Sequence, residues 1–354
     1  HPCDRIMQLE IPPPESIDQI RFEAERELFN ELVTHQRIAP AAEQLRKSNP
    51  EDAHRRGLLA NSLRITDRII PALNEKVELA KQIAHLDSVD VETFIYNEPK
   101  HAASCLCFDQ SVFLLISSGL YSALTERELL FIIGHELGHF VYDHYRLPAR
   151  AILSQKGVCD AEHALKLMQW SRRAEVSADR VGLLCCQDLE AAAKSFIKIS
   201  SGLNEELADF DLMGYVSQVH DLETLARSVR AVDDLYSTHP FNPIRISALY
   251  RHWQSETCCQ LLGHVPLNLG PAPEGQSDDD ADARIHQLLQ YMDPDHATLG
   301  NRNVDECLVW GGLWVAASGG RIDQAVFQAI SKSVNSPVAS EALATVQKHA
   351  EPMS

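Results

Sequence analysis

The chain has 354 residues, 45% of them hydrophobic, which is enough to bury one large core or two ordinary ones. A formal net charge of -18 leaves no basic stripe to follow a phosphate backbone and argues against nucleic acid as a partner. No run approaches the roughly 18 consecutive apolar residues of a membrane-spanning helix. Patches such as Val112 to Ile116 are far shorter, so the sequence reads as a soluble protein with no integral membrane segment.

The 9 cysteines are odd in number and scattered, with adjacent pairs at Cys185-Cys186 and Cys258-Cys259. That is no disulfide framework; it fits a reducing cytoplasm, with the periplasm as the other compartment left open. Cys105 and Cys107 lie two apart in an apolar stretch, where strand alternation puts both on one face. With no paired spacing elsewhere they read as core thiols rather than a second metal site.

In chain order, Ser16 to Thr34 follows three prolines and carries Ile17, Ile20, Leu28 and Leu32 at amphipathic-helix spacing. Pro50 precedes a helical segment through Leu58, Leu59, Leu63 and Ile65, and Pro71 opens another with Leu73, Val77, Leu79 and Ile83. Near Ser88 the pattern changes. Val89 to Tyr96, Ala102 to Phe108 and Val112 to Ser117 are short, apolar and rich in β-formers, so they read as strands, the last two joined by an Asp109-Gln110 turn. The strand from Val112 to Ser117 is the one expected to form an exposed edge along which an extended peptide adds.

Thr125-Glu126-Arg127-Glu128 has the form of a capping box and starts a helix that is apolar nearly all round, hence buried on most sides. A further helix is expected from roughly Ala161 to Gln187, with a break near Ser171, and helical patterns continue to about Trp253. Four units follow: a helical segment over 1–66, a catalytic domain over 67–255, a Pro/Gly/Asp-rich linker over 256–284, and a small helical domain over 285–354. The fold class is α+β, mostly α-helical, with a small sheet.

His135-Glu136-Leu137-Gly138-His139 sets two imidazoles four residues apart, so that on a helix they project from one face and can bind one metal ion. Zinc suits imidazole nitrogen, and a catalytic zinc site has three protein ligands and a water, whose proton Glu136 can take. The competing reading is a pair of core histidines, but two His and one Glu in an apolar helix are costly to bury unless bound or hydrogen-bonded. A metzincin third ligand is excluded, because Tyr142 and Tyr145 occupy the positions that need Gly and His. Glu175 is the candidate third ligand, and Asp179, one turn on, could accept from the outer nitrogen of a ligand histidine. An ordinary solvated face, accommodated by Arg172, Arg173 and Arg180, is the other reading of these two acids.

Between about Ile69 and Tyr250 the sequence resembles the M48 family of zinc metallopeptidases, in the gluzincin group. The resemblance rests on Ser118-Gly119-Leu120, on His135 to His139, on Glu175-Val176-Ser177-Ala178-Asp179 with Arg180 and Gly182, and on Ser237-Thr238-His239-Pro240 with Arg245. It implies a zincin-type core with one zinc per chain on His135, His139 and Glu175, and Glu136 as general base. It further implies that His239 and Arg245 help hold the oxyanion or shape the pocket. The chain departs from membrane-bound members such as the CAAX prenyl proteases in showing no run long enough for a transmembrane helix, so their prenyl-protein and membrane-protein substrates are not carried over to it. Val309 to Asp323 faintly resembles TerB-like helical domains, with Ser318 and Gly319 where acidic residues are usual, so no metal role is implied there.

The expected function is a zinc-dependent endopeptidase acting on a protein or peptide, possible restraint coming from the C-terminal region. The alternative is a latent or non-catalytic binding module of the same fold, chaperone-like in action.

Overall fold

The computed structural model describes residues 9–48, 50–203, 211–222, 237–265 and 277–293. The chain opens with α1 (Ser16–Gln19), α2 (Glu23–Val33), α3 (Ile38–Lys47) and α4 (Glu51–Asn61). The single helix expected over 16–34 is therefore two. Phe22 takes an extended conformation at the break, buries its ring and donates its N–H to Ser177 Oγ at 3.2 Å. Tertiary docking thus overrides a continuous amphipathic pattern. The segment after Pro50 also ends early: Leu63 and Arg64 form β1 (Leu63–Arg64), paired antiparallel with Ile95 and Phe94.

Next come α5 (Pro71–Ile83), β2 (Asp90–Tyr96), β3 (Ala103–Cys107) and β4 (Ser111–Ser117), and the sheet order is β1-β2-β4-β3. The β3–β4 hairpin turns through Asp109-Gln110, Phe108 donating to the Ser111 carbonyl at 2.8 Å. The expected edge role of Val112 to Ser117 is corrected: β4 lies between a parallel β2 and an antiparallel β3. Its unbroken apolar run belongs to a strand covered on both faces, whereas a half-exposed edge would alternate. The edge on that side, among the described residues, is β3.

α6 (Ser118–Ala123) leads into α7 (Glu126–Val141), whose start has the expected capping box, Thr125 and Glu128 each accepting from the other's backbone. α8 (Ala149–Leu153) precedes α9 (Ala161–Cys186), which runs unbroken through Ser171. Ser171 causes no break because its hydroxyl donates to the Thr238 carbonyl at 3.1 Å instead of competing for its own helix.

α7 and α9 cross at very short range, and glycine allows it. A Cβ on Gly134 would lie 2.6 Å from Cys185 Cβ, one on Gly138 2.9 Å from Ala178 Cα, and one on Gly182 2.7 Å from the Phe131 carbonyl. Ile133, Leu137, Val181 and Leu184 pack with β4, α5 and α10 (Leu189–Ser201) in the main core.

α11 (Leu212–Val216), α12 (Asn242–Trp253), α13 (Glu256–Leu262) and α14 (Asp278–Gln290) follow. The stretch 256–284, expected to be a linker, thus contributes two helices, with 266–276 outside the described residues. Ser277 caps α14, and three aspartates in its first turn suit the positive end of the helix dipole. Ile285, Leu288, Leu289 and Met292 bury against Phe22, Val176, Ile244 and Ala248. The Asp-rich composition therefore marks a helix start rather than an unpacked tether. Most of the expected domain over 285–354, including Val309 to Asp323, lies outside the described residues. No described helix is long and apolar enough to cross a membrane.

Candidate metal centre

His135 and His139 project from one face of α7 toward Glu175 of α9, and ligand atoms of the three all lie within 4.8 Å of one another. His135 Nε2 is 3.3 Å from His139 Nε2 and 3.6 Å from Glu175 Oε2, while His139 Nε2 is 3.5 Å from Glu175 Oε1. Tetrahedral bonds of zinc length require ligand atoms about 3.3 to 3.6 Å apart, so the donor set fits that ion. Glu175 Oε2 is buried and makes no aligned hydrogen bond, its charge being met by the Arg245 guanidinium at 3.2 Å, so its lone pairs stay open to a metal.

Asp179 stands where its spacing predicts, its Oδ1 2.9 Å from His135 Nδ1. This contact leaves Nε2 to face the centre. Burial works against a charged His135 ring, but Asp179 outweighs it and raises the pKa. Burial holds His139 well below the usual histidine range and so keeps it neutral, the form that metal binding requires. For Glu175, burial is opposed by Arg245 and the surrounding histidines, which keep it ionised.

Arg245, on α12, donates to both Asp179 oxygens at 2.6 and 2.9 Å and lies 3.2 Å from Glu175 Oε2. It is buried behind the ligands and braces them. Of the two roles the resemblance gives it, this geometry fits pocket shaping, since its donors are engaged away from the cleft. His239 is half-exposed, with Nε2 3.4 Å from Glu175 Oε1. Its segment is pinned by Arg150 on Thr238 Oγ1 at 2.9 Å and by Arg172 on the Ser237 carbonyl at 2.9 Å.

Glu136 is buried beside the ligands, and burial pushes its carboxyl up. The Cys105 thiol adjoins this carboxylate, and Cys107 Sγ lies 3.5 Å from Cys105 Sγ, so both thiols share one face of β3 as alternation requires. Cys105 therefore lines the centre, a placement that its apolar surroundings in the sequence did not signal.

Two further residues were missed. His144 Nδ1 lies 2.9 Å from His139 Nδ1, and His144 Nε2 lies 3.4 Å from Glu25 Oε1. Burial would push Glu25 up, but His144 and Arg21 together hold it down to about 2. A histidine five residues past His139 was a usable signal; Glu25, on a distant helix, offered none.

A model of peptidase family M48 matches residues 71–159 and 148–252, together just over half of the chain. The plastoglobule-localized metallopeptidase 48, chloroplastic, of Arabidopsis thaliana is 22% identical over 186 residues, covering 47% of this chain and 52% of that protein. The chain thus spans about half the length of this curated relative. No solved structure gives a significant match. With the histidine pair, the later glutamate and its aspartate in register on two crossed helices, and the family match spanning all of them, the chain belongs to peptidase family M48.

Proposed function

We propose that the protein is a zinc-dependent endopeptidase with His135, His139 and Glu175 as the ligands of one zinc and Glu136 as general base. The observation that carries this reading is the convergence of three donor side chains at separations that suit tetrahedral zinc, with a buried glutamate adjacent. Zinc, when bound, supplies a Lewis acid for the attacking water and the scissile carbonyl.

The chain's own residues do the rest. Glu136, made more basic by burial, takes the proton of the attacking water and delivers it to the leaving amine. Half-exposed His239 is the residue best situated to donate to the oxyanion. An extended substrate adds along the free side of β3, the edge beside Glu136, by main-chain hydrogen bonds that tolerate many sequences. An open edge admits chain on both sides of the scissile bond, which supports endopeptidase action on proteins or peptides.

Restraint of this activity by the C-terminal region has one specific support. Asp293 takes Arg172 at 2.6 Å and Arg173 at 2.7 Å, and Arg172 also holds the Ser237 carbonyl, two residues before His239. A change at the end of α14 therefore has a short route to the mouth of the site. A cytoplasmic location remains the proposal from cysteine usage.

Metal analysis tests the reading. Purified protein should carry about one zinc per chain, lose cleavage of an unstructured protein when stripped by chelator, and regain it on adding zinc. Protein that takes up no zinc after reconstitution would sink the assignment, and zinc uptake without cleavage would favour the binding-module alternative.

A further inference from the structure

We infer that Glu25 and His144 are positioning residues for the metal ligand His139, the Glu25 carboxylate setting the tautomer of His144 and His144 in turn setting that of His139. The inference rests on the zinc reading above and extends the centre into the N-terminal helices.

His139 faces the other ligands through Nε2, so its Nδ1 points away, to His144 Nδ1 at 2.9 Å. Two neutral imidazoles that meet through these nitrogens share one proton between them. If His139 carries it, His139 donates to His144 and its own Nε2 lone pair is bare for a metal. If His144 carries it, the His139 proton must sit on Nε2, inside the centre, and the metal is excluded.

The far side of His144 decides between these states. His144 is buried, and its Nε2 lies 3.4 Å from Glu25 Oε1, an ion-pair distance without an aligned hydrogen bond; among the described residues Nε2 has no hydrogen-bond partner, so the carboxylate is the charge that it faces. An ionised carboxylate only accepts, so it favours a proton on His144 Nε2. That leaves His144 Nδ1 bare to accept from His139.

Glu25 is itself fixed. It has no exposed surface and accepts from Arg21 Nε and Nη2 at 2.7 and 3.0 Å, from Trp170 Nε1 at 3.1 Å and from Ser177 Oγ at 3.3 Å. Every contact on it comes from a donor, so the carboxylate cannot turn into one without breaking the set. Asp179 acts on His135 directly, whereas Glu25 acts on His139 through one more ring. Glu25 sits on α2, ahead of the residues 71–252 that match the family model, so the N-terminal helices belong to the metal centre.

The test is zinc affinity, measured by competition with a chromophoric chelator on folded, metal-stripped protein, with circular dichroism and the melting temperature of the stripped form as the check on folding. His144→Leu should weaken zinc binding by roughly 10- to 100-fold, the usual effect of losing an outer partner of a ligand histidine. His144→Asn, whose side-chain oxygen still accepts from His139 Nδ1, should restore most of that loss. Glu25→Gln, whose amide can donate to His144 Nε2, should weaken zinc binding by roughly 10-fold in the wild-type background and add nothing in the His144→Asn background.

A merely structural network would lower the stripped protein's melting temperature and leave zinc affinity alone. Wild-type affinity in both His144→Leu and Glu25→Gln would overturn the inference, as would an equal Glu25→Gln effect in the two backgrounds. Should Glu25→Gln not fold, the His144→Leu and His144→Asn pair decides, equal affinities counting against it. Wild-type protein that binds no zinc would instead overturn the metal assignment itself.

Discussion

Asp179 answers to two partners at once: it accepts from His135 Nδ1 and from the Arg245 guanidinium through both of its oxygens. Removing it frees the His135 ring to turn and leaves Arg245 with Glu175 and the His135 and Phe196 rings as neighbours. Asp179→Ala should therefore weaken zinc retention by roughly 10- to 100-fold, read by chelator competition. An affinity equal to wild type would reduce Asp179 to a packing residue. At this scale the sequence was informative wherever the chemistry is local: helical spacing alone puts His135 beside His139, and Glu175 one turn from Asp179. It was silent on Glu25, because a contact between α2 and the turn that follows α7 leaves no spacing to read. Cys105 packs on the main core as its apolar surroundings imply, but an apolar strand position does not say that it also sits beside Glu136.

The elements were legible where periodicity is strong and tertiary pressure weak. The capping box fixed the start of α7, and Asp109-Gln110 fixed the hairpin. Four readings failed where a distant partner intervened: Phe22 breaks the first amphipathic helix by docking on Ser177, Leu63 and Arg64 leave the helix after Pro50 to pair with β2, Ser171 is absorbed by the Thr238 carbonyl, and β4 is flanked on both sides. The crossing of α7 with α9 gives this scale its prediction. A methyl at Gly138 would meet backbone atoms of Ala178 at 2.9 and 3.2 Å, and neither can swing aside. Gly138→Ala should destabilise the protein by roughly 1–3 kcal/mol in denaturant titrations, in spite of alanine's better helix propensity. It should also lower zinc retention by moving Glu175 away from the histidines. Unchanged stability would mean that the helices yield more readily than the contact implies.

At the scale of the molecule, α14 belongs to the same body as the metal centre, held by Ile285, Leu288 and Leu289 and by the Asp293 pair with Arg172 and Arg173. Composition could not disclose this, because the apolar residues of α14 follow a run of aspartates that by itself reads as solvated. Asp293→Ala would leave two buried guanidinium groups without their carboxylate, at a cost of roughly 3–5 kcal/mol in unfolding free energy. Its effect on cleavage of a short peptide bears on restraint: a rise supports it, while a loss of stability with unchanged turnover of the folded protein argues against it. The central claim, that this M48 chain hydrolyses peptide bonds with Glu136 as base, is tested most directly by cleavage of an unstructured protein, zinc-loaded wild type against Glu136→Gln. The account predicts equal zinc content and a rate lower by roughly 10²- to 10⁴-fold in the variant, and equal rates at equal zinc content would contradict it.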